Sequence, residues 1–117
     1  MINLKENAEN DLAAANDFAA LARSASSSAG AMQNAFKAAE YAINAASHIV
    51  RSRRPTTHDE SKNLAYRISN VCGKKFGELL VIYLGSYKHE NGGKKASALR
   101  LMEEIFREVK KVGIEVR

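Results

Sequence analysis

The chain is divided by a short arginine-rich segment that ends in its only proline. An alanine-rich helical pattern runs to Val50 and is followed by Arg51, Arg53 and Arg54, and then by Pro55. Proline fixes its own φ angle and disfavours helical geometry in the residue before it, so a helix cannot continue through Arg54. The sequence therefore predicts two helices that meet at a corner carrying three arginines.

The segment before this corner has the spacing of an amphipathic helix. Its larger apolar residues and several alanines recur at steps of three and four, which places them on one face. They are Met32, Phe36, Ala39, Ile43, Ala46 and Val50. We expect this second helix to run from about Ala31 to Ile49 or Val50.

A first helix is predicted from Leu4 to about Ala25. Its inward face is formed by Leu4, Ala8, Leu12, Ala15, Phe18, Ala19 and Ala22. The acidic residues are expected mainly on the other faces, and they are Glu6, Glu9, Asp11 and Asp17. Residues 24–30 contain three consecutive serines and a glycine, so a short turn is predicted there.

Thr57 and Glu60 predict the start of a third helix. The Thr57 hydroxyl can accept a hydrogen bond from the Glu60 amide while the Glu60 carboxylate reaches back to the Thr57 amide, which is a capping box. This helix is predicted to be long and to end at Tyr83 or Tyr87. Its inward face is formed by Leu64, Ile68, Val71, Cys72, Phe76, Leu79 and Tyr83.

The last helix is predicted from about Lys94 to Val112, after a turn at residues 89–93. Its inward face is formed by Ala98, Leu101, Met102, Ile105, Phe106 and Val109. Gly113 is predicted to cap the C-terminal end of this helix. Residues 114–117 are expected to be loosely held.

Four helices with short connections predict an all-α fold, specifically an antiparallel up-and-down four-helix bundle. Strand signals are nearly absent, because alternation of apolar and polar residues is brief and confined to the region near Leu79 to Leu84. The length of 117 residues suits one domain, so residues 1–117 are predicted to form a single helical domain.

The formal net charge of +5 is unevenly spread. Residues 28–58 carry four basic and one acidic side chain, and residues 93–117 carry seven and four, so each segment has a net charge of +3. Two interpretations remain open. These segments form either a basic surface that attracts phosphate or a solvated face with unpaired lysines.

Composition argues against a metal centre, a cofactor and a membrane anchor. Cys72 is the only cysteine, and the three histidines, His48, His58 and His89, are scattered, so no metal site is predicted. The N-terminus has acidic and amide residues where a signal peptide would need an apolar core, and no stretch approaches 18 apolar residues. We therefore expect a cytoplasmic protein.

Arg53 and His58, with four residues between them, are the candidate catalytic pair. Metal-free RNA cleavage needs a base for the 2′-hydroxyl group and a cation for the phosphate, and imidazole and guanidinium suit these roles. His58 should lie in the first turn of the third helix, where the helix amides can bind phosphate. Arg51, Arg54 and Thr57 are the candidate nucleotide- or RNA-binding residues. The alternative is an exposed histidine near arginines that only solubilise the corner.

The stretch AFKAAEYAINAASHIVRSRRPTTHDESKNL, residues 35–64, resembles the central part of HEPN-domain proteins (the higher eukaryote and prokaryote nucleotide-binding domain). Residues 79–111, LLVIYLGSYKHENGGKKASALRLMEEIFREVKK, resemble the ending of that family. Residues 4–22, LKENAENDLAAANDFAALA, fit its first helix. The resemblance covers nearly the whole chain and rests on the order of the helices and on the junction Thr57-His58-Asp59.

This resemblance implies a helical bundle that commonly forms homodimers. Many HEPN members act beside a minimal nucleotidyltransferase, as the other half of a two-gene, toxin–antitoxin-like system. Others are metal-independent ribonucleases with an Arg-x4–6-His motif, a spacing that both Arg51 and Arg53 satisfy with His58. In those ribonucleases the motif lies in a later helix, whereas the later helix of this chain has no histidine.

Three functional hypotheses follow from these residues and this resemblance. The first is a HEPN-like module, non-catalytic or weakly catalytic, that dimerises and binds a nucleotidyltransferase partner or a nucleotide. The second is a metal-independent endoribonuclease in which Arg53 holds the phosphate, His58 takes the proton, and Arg51 and Arg54 guide RNA. The third is a helical adaptor that binds no small molecule.

Overall fold

The computed structural model describes residues 4–88 and 93–116, with side chains from Glu6 onward in the first helix. Within these residues the fold is all-α, as predicted, with five α-helices, one 3₁₀ turn and no strand. The helices are α1 (Leu4–Ser24), α2 (Ser28–Ala45), α3 (His58–Ile68), α4 (Asn70–Gly85) and α5 (Lys95–Lys111), and the 3₁₀ turn (Ala46–His48) follows α2. Most of the turn predicted at residues 89–93 lies outside the described residues.

The central helix is α2, which packs against each of the other four helices. Alanines at many of its positions let neighbouring helices approach closely, because the distance between helix axes depends on side-chain size at the contact. Phe36 of α2, Phe76 of α4 and Phe106 of α5 are fully buried and supply the bulk that the alanines lack. The predicted inward face of the second helix is therefore confirmed, although Val50 is only partly buried.

The connection between α1 and α2 is shorter than predicted. The Ser27 hydroxyl accepts a hydrogen bond from the Gly30 amide at 3.0 Å and caps α2, so Ser28 and Gly30 belong to the helix. At the other end α2 stops at Ala45, and the 3₁₀ turn extends it to His48. The helix thus starts three residues before the predicted Ala31 and leaves α geometry earlier than predicted.

The prediction of one long third helix is wrong, because the chain breaks at Ser69. This residue is extended (φ −168°, ψ 158°), and its hydroxyl accepts a hydrogen bond from the Cys72 amide at 2.9 Å, which caps α4. Helix α3 then folds back against α4, where a Cβ on Gly73 would overlap the Tyr66 ring. Of the seven residues predicted inward, Leu64, Cys72, Phe76 and Leu79 are buried and Ile68 and Tyr83 are partly buried, whereas Val71 is half exposed.

The last helix agrees with its prediction, and all six of its predicted inward residues are buried. Gly113 caps α5 with a left-handed φ of 102°, and the Ile114 amide bonds back to the Val109 carbonyl at 3.2 Å. The expectation of a loosely held tail is wrong for the described residues, because Ile114 and Val116 are both buried in the core.

The C-terminal end of α5 lies at the same end of the molecule as the corner after α2. Lys95, at the start of α5, donates to the Ala25 carbonyl at 3.1 Å, beside the start of α2. At the far end, Gly113 approaches the Ile49 side chain, just after α2. Helices α2 and α5 therefore run in the same direction. None of the helices in the described part of the chain is both long and apolar enough to span a membrane.

Candidate functional site

A cleft of about 510 Å³ lies where α2 faces the elbow, residues 49–57, and the first turns of α3. We call it the histidine cleft. Three of the five predicted site residues line it, namely Arg54, Thr57 and His58. The remaining lining residues are Glu40, Tyr41 and Asn44 from α2, Pro55 and Thr56 from the elbow, and Ser61 from α3.

His58 is held in this cleft by a carboxylate and by aromatic rings. Its Nδ1 atom lies 2.7 Å from Oε2 of Glu40, and its side chain is 45% exposed. The imidazole meets the rings of Phe36 and Tyr83 edge to face, at centroid distances of 5.1 and 5.6 Å. Helix α2 supplies Glu40 and Phe36 one turn apart, so both contacts come from a single helix face.

The hydrogen bond to Glu40 determines what His58 can do. Because a carboxylate only accepts, Nδ1 must carry the proton, and Nε2 is the nitrogen left for a ligand. Tyr83, behind the imidazole, is not a competing base. Its phenol oxygen is 3.2 Å from that of Tyr87, and this hydrogen bond together with partial burial raises the pKa of Tyr83 to about 12.

The capping box predicted at the start of α3 is present, with one shift. The Thr57 hydroxyl accepts from the Glu60 amide at 3.1 Å, as predicted. The Glu60 carboxylate reaches back and accepts from the amide and the hydroxyl of Thr56 at 2.7 and 2.9 Å, one residue before the predicted donor. These hydrogen bonds from Thr56 hold the pKa of Glu60 below its usual range.

Arg54 enters the histidine cleft while its guanidinium is anchored to α1. Two of its nitrogens donate to the two Asp11 oxygens at 2.8 and 2.9 Å, and the Asp11 side chain is only 5% exposed. The hydrogen bonds to Asp11 raise the pKa of Arg54 further above its ordinary value. This bidentate pair fixes the elbow against α1, so Arg54 has a structural role as well as a place in the cleft.

Arg53 does not share the histidine cleft with His58. It lines a separate cleft of about 200 Å³, which we call the arginine cleft, with Ser52, Pro55, Glu60, Asn63, Leu64 and Arg67. Its guanidinium donates to Glu60 at 2.9 Å, and its side chain is 82% exposed. The spacing of Arg53 and His58 therefore does not correspond to one shared cavity.

Arg51, the remaining predicted residue, lines neither of these two clefts. It is exposed and adopts a left-handed backbone with φ of 53°. The Ser52 amide then donates to the Ser47 carbonyl at 2.8 Å and closes the end of the 3₁₀ turn. The position of Arg51 is thus set by the geometry of the turn.

Sequence reasoning missed Glu40 and Asp11, the two carboxylates that hold His58 and Arg54. A usable signal existed for Glu40, which is the only acidic residue between Asp17 and Asp59 and shares a helix face with Phe36. Asp11 gave no such signal. It was expected on an outer face, among the other acidic residues of α1, and only the fold brings it to Arg54.

The Cys72 thiol and the possibility of a metal site also bear on the chemistry of the site. Burial raises the pKa of the Cys72 thiol to about 12, so it is not a nucleophile near neutral pH. Among the described residues, no group of three or more histidine, cysteine, aspartate or glutamate side chains is placed to hold a metal ion. The side chains that line the histidine cleft carry imidazole, guanidinium, carboxylate, phenol, hydroxyl and amide groups.

No protein-family model matches this chain, and no curated protein or solved structure shows significant similarity to it.

Proposed function

We propose that this chain is a HEPN-like helical module that binds a nucleotide in the histidine cleft. The observation that carries this proposal is the convergence of Arg54, Thr57 and His58 on one cleft beside the N-terminus of α3. The volume of the cleft, about 510 Å³, is within the range of about 300–1,000 Å³ that is usual for small-ligand sites.

The walls of the histidine cleft suit the two ends of a nucleotide. On one side the N-terminus of α3 offers the positive end of the helix dipole, and His58 Nε2 can donate to a phosphate oxygen when the ring is protonated. On the other side Tyr41 offers an aromatic ring and Asn44 its amide N–H groups, since the Asn44 Oδ1 atom already accepts from Ser61 at 3.1 Å. The Tyr41 ring is stacked on Phe18 at 5.5 Å, which restricts its motion.

Titration with nucleoside monophosphates tests this proposal. We expect addition of AMP or UMP to ¹⁵N-labelled protein to shift the amide signals of the second half of α2 and the start of α3. His58→Ala should weaken binding by about tenfold, the value of one hydrogen bond to a charged group. His48→Ala is the matched control, because His48 lies outside the histidine cleft. Equal effects of the two substitutions, or no binding, would contradict the proposal.

We also propose that the protein forms a homodimer and works with a minimal nucleotidyltransferase in a toxin–antitoxin-like pair. Exposed apolar side chains on and just after α4 support a protein interface there, namely Val71, Val81, Leu84 and Tyr87. Co-expression with the product of an adjacent nucleotidyltransferase gene, followed by sedimentation analysis, tests both associations. A monomer that binds neither partner nor nucleotide would contradict this assignment.

The finer architecture belongs to the same proposal. We infer an antiparallel up-and-down four-helix bundle made of α1, α2, α4 and α5, with α3 folded along the side. The contacts of Lys95 with Ala25 and of Ser69 with Glu108 support alternating directions along the chain. The close packing of the parallel helices α2 and α5 is a departure from a square bundle, in which such helices lie diagonally opposite.

A second candidate function is a metal-independent ribonuclease, and the Glu40–His58 hydrogen bond favours it. A carboxylate that fixes one ring nitrogen leaves the other oriented as a base. His58 Nε2 would take the proton of a 2′-hydroxyl, whose oxygen attacks the adjacent phosphorus. The 5′-oxygen would leave and take a proton from water, giving a 2′,3′-cyclic phosphate and a 5′-hydroxyl. Arg54, in the same cleft, would replace Arg53 as the cation beside the phosphate.

Cleavage of single-stranded RNA in the presence of EDTA tests the ribonuclease. His58→Ala should lower the rate by about 100-fold or more, the usual contribution of a general base. Glu40→Gln should also lower it and change its pH profile, because Glu40 positions the imidazole. His48→Ala again serves as the control. Cleavage that survives His58→Ala would remove His58 from the mechanism.

A further inference from the structure

The arginine cleft and the histidine cleft share one wall. Pro55 lines both of them, with Arg54 on the histidine side and Arg53 on the arginine side. Glu60 and Thr56 continue this wall, since the Glu60 carboxylate in the arginine cleft accepts two hydrogen bonds from Thr56 in the histidine cleft. The elbow is thus a thin ridge with a polar cavity on each side.

Arg53 and Arg67 keep most of their donors available in the arginine cleft. Arg53 donates to Glu60 at 2.9 Å, and Arg67 donates to the Val50 carbonyl at 3.0 Å. Each of these bonds uses a single nitrogen, whereas a guanidinium has five N–H donors in a planar fork. Arg54 differs, because two of its nitrogens are committed to the buried Asp11.

The charges lining the arginine cleft favour an anion. Two arginines face one carboxylate, Glu60, in a cavity of about 200 Å³. Both Glu60 oxygens are engaged, one by Arg53 and the other by Thr56, and the charged side chains of the lining carry a net charge of +1. Ser52 and Asn63 add neutral hydrogen-bonding groups to the same lining. A phosphate is the anion that matches paired guanidinium groups and such neutral donors.

We infer that Arg53 and Arg67 form a second phosphate subsite, and that the ligand of this protein is a single-stranded polynucleotide whose backbone crosses the Pro55 ridge. This inference rests on the proposed nucleotide site in the histidine cleft. One nucleotide occupies the histidine cleft, and a neighbouring phosphodiester occupies the arginine cleft. A mononucleotide reaches only the first, so an oligonucleotide binds more tightly. The phosphodiester backbone is common to RNA and DNA.

The experiment compares a fluorescein-labelled ten-nucleotide RNA, the same sequence as DNA, and AMP. Arg53→Gln and Arg67→Gln should each weaken oligonucleotide binding by about fivefold at 0.1 M salt, the value of one phosphate contact to a single strand. Each should also reduce the slope of log K against log salt by about 0.7. The affinity for AMP should not change in either variant. Tighter binding of the RNA arm than of the DNA arm would identify RNA as the ligand.

Arg100→Gln is the matched control, because Arg100 is an exposed arginine in the second turn of α5, and α5 begins at the end of the molecule opposite the elbow. Like Arg53→Gln and Arg67→Gln, it removes one positive charge. It should leave the oligonucleotide affinity and the salt slope close to those of the parent protein. Arg67→Lys keeps the positive charge, so it should bind the oligonucleotide more tightly than Arg67→Gln does and less tightly than the parent. Melting curves by circular dichroism show whether the variants stay folded.

The outcomes separate this inference from the proposed function. In one outcome AMP binds, but Arg53→Gln and Arg67→Gln lose no more oligonucleotide affinity than Arg100→Gln does. This result overturns the phosphate subsite in the arginine cleft and keeps the nucleotide site in the histidine cleft. Oligonucleotide binding that depends on Arg53 and Arg67 while AMP fails to bind overturns the nucleotide site and keeps the arginine cleft. Failure of AMP, RNA and DNA to bind overturns both.

Discussion

Arg51 has a strained backbone, and its side chain lines neither the histidine cleft nor the arginine cleft. Its φ of 53° lies in the left-handed region, where an L-residue with a Cβ is disfavoured by roughly 1–2 kcal/mol. The conformation persists because the Ser52 amide closes the 3₁₀ turn on the Ser47 carbonyl at 2.8 Å. Glycine has no such penalty, although it loses more backbone entropy on folding.

Arg51→Gly should therefore stabilise the protein by roughly 0.5–1 kcal/mol. Arg51→Ala is the control, since it removes the same side chain and keeps the Cβ, and its stability should stay close to that of the parent. Urea denaturation monitored by circular dichroism measures both. A glycine variant no more stable than the alanine variant would show that the left-handed backbone carries no strain.

Some positions in and beside the elbow could be predicted from the sequence, and others could not. The position of His58 in the first turn of α3 was predictable, because Thr57 and Glu60 form a local cap. Which of two adjacent arginines would share a cleft with His58 was not predictable from spacing. That choice is made by Asp11, 43 residues before Arg54, which draws one guanidinium toward α1 and leaves Arg53 on the opposite side.

At the scale of helices, the joint between α3 and α4 depends on one serine and one glutamate. The Ser69 hydroxyl accepts from the Cys72 amide and donates to Glu108 on α5 at 2.8 Å. Lys111 donates to the other oxygen of Glu108 at 2.6 Å. The hydrogen bond from Lys111, followed by that from Ser69, holds the pKa of Glu108 below its usual range.

This joint predicts a pH dependence of stability. A carboxyl whose pKa is lowered by folding contributes stability above its unfolded pKa, near 4.5, and that contribution is lost as the pH falls through the lowered folded value. Glu108→Gln should therefore be less stable than the parent at pH 7, and this deficit should shrink as the pH falls below the unfolded pKa of the carboxyl. Ser69→Ala, which removes the cap of α4, should cost about 1 kcal/mol at pH 7.

Urea denaturation at pH 7, 5 and 3 measures this effect. Glu78→Gln is the control, because Glu78 is an exposed carboxylate on α4 outside the joint. The difference in free energy of unfolding between Glu78→Gln and the parent should change less with pH than the difference between Glu108→Gln and the parent. If the deficit of Glu108→Gln is constant from pH 7 to pH 3, its carboxylate charge does not stabilise the joint.

The helices differ in how well the apolar pattern predicts where they end. In α5 the pattern is strong and unbroken, and every predicted inward residue is buried. Across Ser69 the residues Leu64, Ile68 and Cys72 keep a spacing of four, so the pattern favours one continuous helix. The extended backbone of Ser69 breaks the helix although the buried residues on both sides of it keep this spacing, so the apolar pattern does not reveal the break.

At the scale of the whole molecule, the position of both clefts depends on the contact between the elbow and α1. The Arg54–Asp11 pair joins residues 43 positions apart and uses both carboxylate oxygens. The all-α class followed from composition and period alone, whereas this long-range tie requires the packed fold, since α1 meets the elbow only after α2 has folded back on it.

A double-mutant cycle on this pair tests that dependence. Asp11 is 5% exposed and Arg54 is 38% exposed, so Arg54→Gln leaves a buried carboxylate without its cation. Removing one partner of a fully buried pair costs about 3–5 kcal/mol, and partial access of water at Arg54 should reduce this to about 2 kcal/mol. Asp11→Asn should cost a similar amount, and the double variant should cost about 1 kcal/mol less than the two single costs together.

Chemical denaturation gives the coupling energy, and the AMP and RNA titrations give its functional consequence. Because Arg54 fixes the ridge that both clefts share, Arg54→Gln should weaken RNA binding more than Arg53→Gln does, although each removes one positive charge. Asp11→Asn removes no cation from either cleft, so any loss of RNA affinity in that variant reports displacement of the elbow. Two results together would contradict this dependence. If the stability losses of Asp11→Asn and Arg54→Gln add up in the double variant, and Asp11→Asn binds RNA as the parent does, the elbow keeps its place without this ion pair.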